Sequence, residues 1–175
     1  MATPKQRQLL TIGTINARTI ATTPRQLELD HAMEKIERDI PGVTEARVKD
    51  QESYILPSDT VLFHSITHHG VAFLVRQVLA NDVRFTPLSN QLATLHHPSL
   101  KVYLVLCYAP ALSNDNYDEY DNYFEEVVRI CRRIKKGHIP ILLGDMNATL
   151  GREPGNETII GKYTYGHRMI ADVRS

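Results

Sequence analysis

The run IPILLGD, residues 139–145, is apolar up to the glycine and aspartate that end it. Such a run predicts a central strand, covered on both faces. The stretch before it has the opposite character. DEYDNYFEEVVRICRRIKKG (118–137) repeats its apolar residues at helical spacing. Tyr120, Phe124, Val127, Cys131 and Ile134 form one stripe, and Gly137 stops the helix. Ahead of that helix lies KVYLVLCY (101–108), another strand-like run. A helix between two strands returns the chain to its sheet, so the expected architecture is a layered α/β domain.

The N-terminal part repeats this order. LLTIGTIN (9–16) reads as a strand. TTPRQLELDHAMEKIERDIPG (22–42) reads as a helix, with Thr23 as cap, Pro24 in the first turn and Gln26 completing a capping box. Leu29, Met33, Ile36 and Ile40 would make its apolar face, and Pro41-Gly42 its end. GVTEAR (42–47) is a short second strand. Residues 53–107 read as strands. DTVLFHSI and GVAFLVRQ flank THHG as a hairpin, and DVRFTPLS, QLATLHH and KVYLVLCY follow with Pro and Ser between them. Residues 1–8 are expected to be disordered, and 152–175 is polar and Gly-rich with no element to place.

The length of 175 residues suits one domain, 1–175. A hydrophobic fraction of 42% and a charged fraction of 23% are those of an ordinary globular chain. The net charge of zero excludes general attraction to phosphate, so a nucleic acid would have to meet a local patch. Cys107 and Cys131 sit in apolar surroundings and suit a reducing compartment. No run spans a membrane, and the first ten residues hold no signal-peptide core. The expected location is intracellular, nuclear or cytoplasmic, with a monomer as the default.

Several strand ends carry polar residues that packing does not require. Asn16 ends the first strand, Glu45 lies on the second, and Asp145 ends IPILLGD with Asn147 just beyond. Tyr108 precedes Ala109-Pro110. Strand ends are where layered α/β proteins assemble sites. Glu, Asp and amides supply the hard oxygen ligands that Mg²⁺ prefers. Taken alone, Asp145 and Asn147 fit a turn equally well, Glu45 fits a surface strand, and Tyr108 could simply pack.

Four stretches carry a resemblance. IGTINARTI, GVTEAR, CYAP and LLGDMNATLG resemble, in this order, the first four motifs of the endonuclease/exonuclease/phosphatase superfamily, the deoxyribonuclease I-like group. The Asn-x-Arg-Thr and Gly-Asp-x-Asn-Ala-x-x-Gly forms are most similar to the endonucleases of non-LTR retrotransposons and to craniofacial development protein 2-like proteins. The resemblance covers roughly residues 10–152. It implies a two-sheet α/β sandwich with its site in the cleft at one end. It implies Mg²⁺ (or Mn²⁺) as cofactor, DNA as partner, and hydrolysis of a phosphodiester as the reaction. It also implies roles: Glu45 as the principal metal ligand, and Asn16 at the metal and the phosphate. Tyr108 would contact the scissile phosphate, Asp145 would orient the attacking water, and Asn147 would bond the phosphate.

The sequence departs from the family at two points. The family's late Asp-His pair is missing, along with a further acid before it. The one Asp-His dipeptide, Asp30-His31, falls in the first helix, and Asp172 stands too near the last residue to be a motif. Relatives commonly place an arginine where this chain has Gln91. The expectation is a domain lacking its C-terminal part, with exposed apolar edges. Three functions follow: a retrotransposon-type DNA endonuclease, whether active or not as given; a non-catalytic nucleic-acid- or protein-binding relic of the same fold; or a phosphatase on inositol phosphate or phospholipid.

Other features have plainer readings. His64, His68 and His69, with His96-His97, invite a zinc site, but no Cys accompanies them and the spacing matches no structural set. They read as a solvated hairpin tip. Arg129, Arg132, Arg133 and Lys136 read as a solvated helix face, and Cys131 as core.

Overall fold

The computed structural model describes residues 9–148, apart from 37, 50–52, 66, 68–69 and 112–116. His68, His69, residues 1–8 and 152–175, with Asp172, lie outside the described residues.

Nine strands and three helices form in this part of the chain. They are β1 (Ile12–Asn16), α1 (Thr23–Ile36), β2 (Ile40–Thr44), β3 (Tyr54–Ile55), β4 (Thr60–Phe63), β5 (Val71–Arg76), α2 (Gln77–Ala80), β6 (Arg84–Pro87), β7 (Leu92–His97), β8 (Val102–Tyr108), α3 (Tyr117–Arg133) and β9 (Ile139–Asp145). The first sheet has the order β1-β2-β5-β4-β3 and the second β6-β7-β8-β9. Within each sheet one pair is parallel: β1 with β2, joined through α1, and β8 with β9, joined through α3. The other pairs are antiparallel.

The period of two along the strands builds the layers. Val71, Phe73 and Val75 face inward and meet Leu95, Leu104, Leu106 and Leu143 between the sheets. Ala72 and Leu74, one residue out of phase, face Leu29 and Met33 of α1. Val105 and Cys107 face Tyr123 and Val127 of α3. The result is helix, sheet, sheet, helix. Gly42 lets the two sheets close tightly, because a Cβ there would lie 2.7 Å from Leu106 Cδ1 and 2.8 Å from Leu143 Cδ1.

Three expectations fail here, each for a physical reason. Helix α1 stops at Ile36, and Ile40-Pro41-Gly42 forms buried strand β2 rather than the end of a helix. Pro41 is tolerated because the Ile40 N–H points to Thr11 of the chain beside it, at 3.2 Å. The missing Pro41 donor therefore falls on the β5 side, where the Arg76 N–H still donates to Asp39 O at 3.1 Å and pairing resumes at Gly42, so one ladder bond alone is lost. The Gln26 side chain makes no capping box. It turns inward and its Nε2 donates to Ile20 O at 3.0 Å. Strand β9 is not central: it is the outer member of its sheet among the described strands, with Ile139 57% and Leu142 45% exposed. Its apolar run serves the inter-sheet core through Leu143 and Ile141 on one face only.

The histidines also depart from the solvated-tip reading. His64 and His97 are buried, and His96 stacks on Tyr103 with ring centroids 5.2 Å apart. Asp30, in the helix as expected, is buried and accepts from the Ser58 N–H and hydroxyl, pinning the turn before β4. No described helix is long and apolar enough to cross a membrane.

Candidate functional site

Both parallel pairs end at the same place. In the first sheet Asn16 is in register with Thr44, so Glu45 emerges beside Asn16 at the strand ends. In the second, Tyr108 is in register with Asp145. The two pairs face each other across the sandwich. One side chain joins them: Asn16 Nδ2 donates to Glu45 Oε1 at 2.8 Å and to Asp145 Oδ2 at 3.1 Å. The Asn16 amide oxygen is occupied by the Arg18 N–H at 3.0 Å. The Asn147 N–H donates to Asp145 Oδ1 at 3.0 Å, and its amide donates to Ala109 O at 2.6 Å. Asn16, Glu45, Tyr108, Asp145 and Asn147 are thus brought together from opposite parts of the chain.

The backbone is bent to hold them. Glu45 has φ 54° and Asn147 φ 46°, both left-handed for residues bearing a Cβ. Arg18 (φ 51°) and Arg47 (φ 57°) share this conformation. Such residues persist only where the surroundings over-determine them, and they cluster at functional sites. Gly144 has φ 133°, and a Cβ there would fall 1.8 Å from Cys107 O. Only glycine lets β9 pass β8 at that point and present Asp145.

Electrostatics follow from the packing. Partial burial, then the Glu45 charge, raises the Tyr108 phenol above its ordinary value. The phenol therefore stays a hydrogen-bond donor at neutral pH. The Arg47 Nη2 lies 3.1 Å from Glu45 Oε2. Cys107, beneath the site in the α3 layer, is pushed up by burial to about 11 and is no nucleophile. A cavity of about 620 Å³ opens beside Asp145, lined also by Asn16, Thr44, Tyr120, Phe124 and Met146. A hollow of about 760 Å³ along α3, among Glu125, Arg129, Arg132 and Arg133, holds none of the five residues.

Among the described residues no three His, Cys, Asp or Glu side chains converge as a metal-binding group. A cation here would have two carboxylates, an amide and water. That set fits Mg²⁺, which keeps several waters and takes one or two carboxylates. The arginines beside the site were not singled out from the sequence. Their signal is a shared spacing: Arg18 and Arg47 each stand two residues after Asn16 and Glu45.

Solved structures share this arrangement of sheets. An AP endonuclease from Archaeoglobus fulgidus matches with TM-score 0.54 and 20% identity, over 83% of this chain and 60% of that one. TDP2 from D. rerio, crystallised with a single-strand DNA product, matches with TM-score 0.52 and 15% identity, over 79% and 60%. An endonuclease/exonuclease/phosphatase family protein from Leptotrichia buccalis matches with TM-score 0.52 and 14% identity, over 81% and 67%. The fold is therefore the two-sheet α/β sandwich of the deoxyribonuclease I-like type. This chain spans about three fifths of the length of the TDP2 and AP endonuclease chains. No protein-family model matches the sequence, and no curated protein is similar to it at a meaningful level.

Proposed function

We propose that this chain carries the metal and phosphate end of a Mg²⁺-dependent phosphodiester hydrolase acting on DNA, of the retrotransposon endonuclease type within the endonuclease/exonuclease/phosphatase superfamily. One observation carries the reading: the acids Glu45 and Asp145, each at the end of a parallel pair in a different sheet, are joined by the single amide of Asn16. The neighbours that share the fold include DNA-processing proteins, and the motif forms NARTI and LLGDMNATLG support the finer assignment.

Each residue has work in this reading. Glu45, with Asn16 beside it, would hold Mg²⁺ or Mn²⁺, which when bound supplies polarisation of a phosphoryl oxygen and neutralises charge on the leaving oxygen. Asp145 orients a water and takes its proton. Its Oδ1 is fixed by the Asn147 N–H, so the carboxylate is aimed before substrate arrives. Tyr108, kept protonated, donates to a phosphate oxygen. Asn147 contributes a second donor to the phosphate after leaving Ala109 O. Charge stabilisation by these fixed groups is the largest contribution to such a reaction.

A second reading has its own support. Gln91 stands where relatives commonly carry an arginine, and here its backbone carbonyl accepts the Tyr108 N–H at 2.8 Å. The same site could then bind metal and DNA without turnover. Nicking of supercoiled plasmid, run with Mg²⁺ titration, separates the two. An enzyme nicks only with Mg²⁺, and Asp145→Ala lowers the rate by about 10²–10⁴-fold. A binding module takes up Mg²⁺ in a Glu45-dependent way and nicks nothing. Nicking that survives both Asp145→Ala and Glu45→Gln sinks both readings.

A further inference from the structure

We propose that Arg47 is the resident counter-cation of this metal site: its guanidinium occupies Glu45 while no metal is bound, and it must leave the carboxylate for a divalent cation to enter. The inference rests on the functional reading above and names how that site is loaded.

The geometry of the corner points to it. Glu45 and Arg47 are both left-handed, and Ala46 between them is buried. The Ala46 N–H donates to Gly70 O at 3.1 Å, and Ala46 O accepts from the Ile20 N–H at 2.8 Å. The backbone is thus clamped at its middle residue, and the two charged side chains emerge together from a fixed corner. Among the described residues Glu45 is the one ion-pair partner of Arg47.

Glu45 is already well supplied. Its Oε1 accepts from the Asn16 amide and its Oε2 from the Arg47 guanidinium. An inner-sphere cation sits about 2.1 Å from its oxygen. On Oε2 it would stand only a few ångströms from the guanidinium, with both cations competing for one carboxylate oxygen. Metal and guanidinium therefore exchange on Oε2 rather than share it. The exchange is easy. The Arg47 side chain is 61% exposed while that of Glu45 is 19% exposed, so the arginine can swing into water and the acid stays put. An ion pair this open to solvent holds weakly. Arg47 keeps the carboxylate aimed and lowers the apparent affinity for the metal.

Two measurements test this on the whole chain. Mn²⁺ binding, followed by the loss of the free-ion EPR signal, should tighten about 3- to 30-fold in Arg47→Met, as expected for removing one partly screened charge near a dication. Methionine faces the same left-handed backbone as arginine, and a thermal melt confirms that the variant folds. In the wild-type chain, the Arg47 Nε–H resonance should shift during Mg²⁺ titration with the midpoint of metal binding itself. Unchanged or weaker Mn²⁺ affinity in Arg47→Met overturns the proposal, as does an Arg47 resonance unmoved at saturating Mg²⁺. The site reading fails separately: if Glu45→Gln leaves metal binding intact, the metal lies elsewhere and both ideas fall. If Glu45→Gln removes binding but Arg47→Met fails to strengthen it, this inference alone is wrong.

Discussion

The two sheets deliver their acids to the site by opposite means. The second sheet places Asp145 as the last residue of β9, after Gly144, whose φ of 133° no other residue tolerates at that contact. The first sheet places Glu45 just after β2, and Glu45 itself takes the left-handed φ of 54°. In one case a residue without a side chain absorbs the bend and the acid is relaxed. In the other the acid absorbs it. The difference shows where strain can be removed without touching the fold and where it cannot.

The largest expected effect comes from Gly144→Ala. A Cβ 1.8 Å from a backbone oxygen cannot be accommodated by a rotamer change. We expect a loss of at least ~3 kcal/mol in urea unfolding, or failure to fold. A mild effect would show that β9 can shift and that the two sheets do not differ in this way. Next is Asn16→Ala, which removes the donor common to both acids and leaves two carboxylates facing each other. Its cost should be about 1 kcal/mol, growing when Mg²⁺ is added because the wild-type chain holds the ion more tightly. A loss insensitive to Mg²⁺ would mean that Asn16 serves the fold alone. Glu45→Gly should stay within about 1 kcal/mol of wild type, on the stabilising side, because glycine relieves the bend while the carboxylate is lost. A marked loss would mean that the hydrogen bonds of Glu45 matter more to stability than the bend in its backbone.

The smallest effect lies at the far end of the second sheet. Burial, then His138, Arg84 and Lys135, hold His96 below the ordinary imidazole range, against a smaller opposing pull from Asp82. The unfolded chain therefore takes up this proton first. Stability is complete above the unfolded value of about 6.5 and falls as the pH drops below it. His96→Asn should flatten that decline by roughly 1 °C in Tm between pH 7 and pH 5, with metal binding unchanged. An altered metal affinity would show that the two ends of the sheet are coupled.

How much of this could be read from the sequence depends on range. β8 and β9 were legible because their apolar runs are long and bounded by turn residues. The hairpin of β4 and β5 was legible from its flanking strands. β3 and α2 were not, since two and four residues carry no periodicity. Ile40-Pro41 misled because proline is a local breaker, and only its neighbours on the sheet decide which donor is missed. Tyr123 escaped the helical stripe although it is buried and its hydroxyl donates to Gln91 O at 3.3 Å. At the site, the residue types and their order were legible. The bridge through Asn16 was not, because no local pattern encodes a contact across 129 residues.

That separation carries a kinetic consequence. Asn16 lies in the first strand and Asp145 in the last described one, so closing the bridge requires almost the whole described chain to be in place. Loop-closure entropy makes such contacts late ones. During synthesis β1 and β2 would emerge long before β9, and Glu45 would wait with half a site. A folding intermediate that holds one sheet can have secondary structure and a core, yet it has no place for the bridged acids. The site therefore reports on completion of folding as a whole.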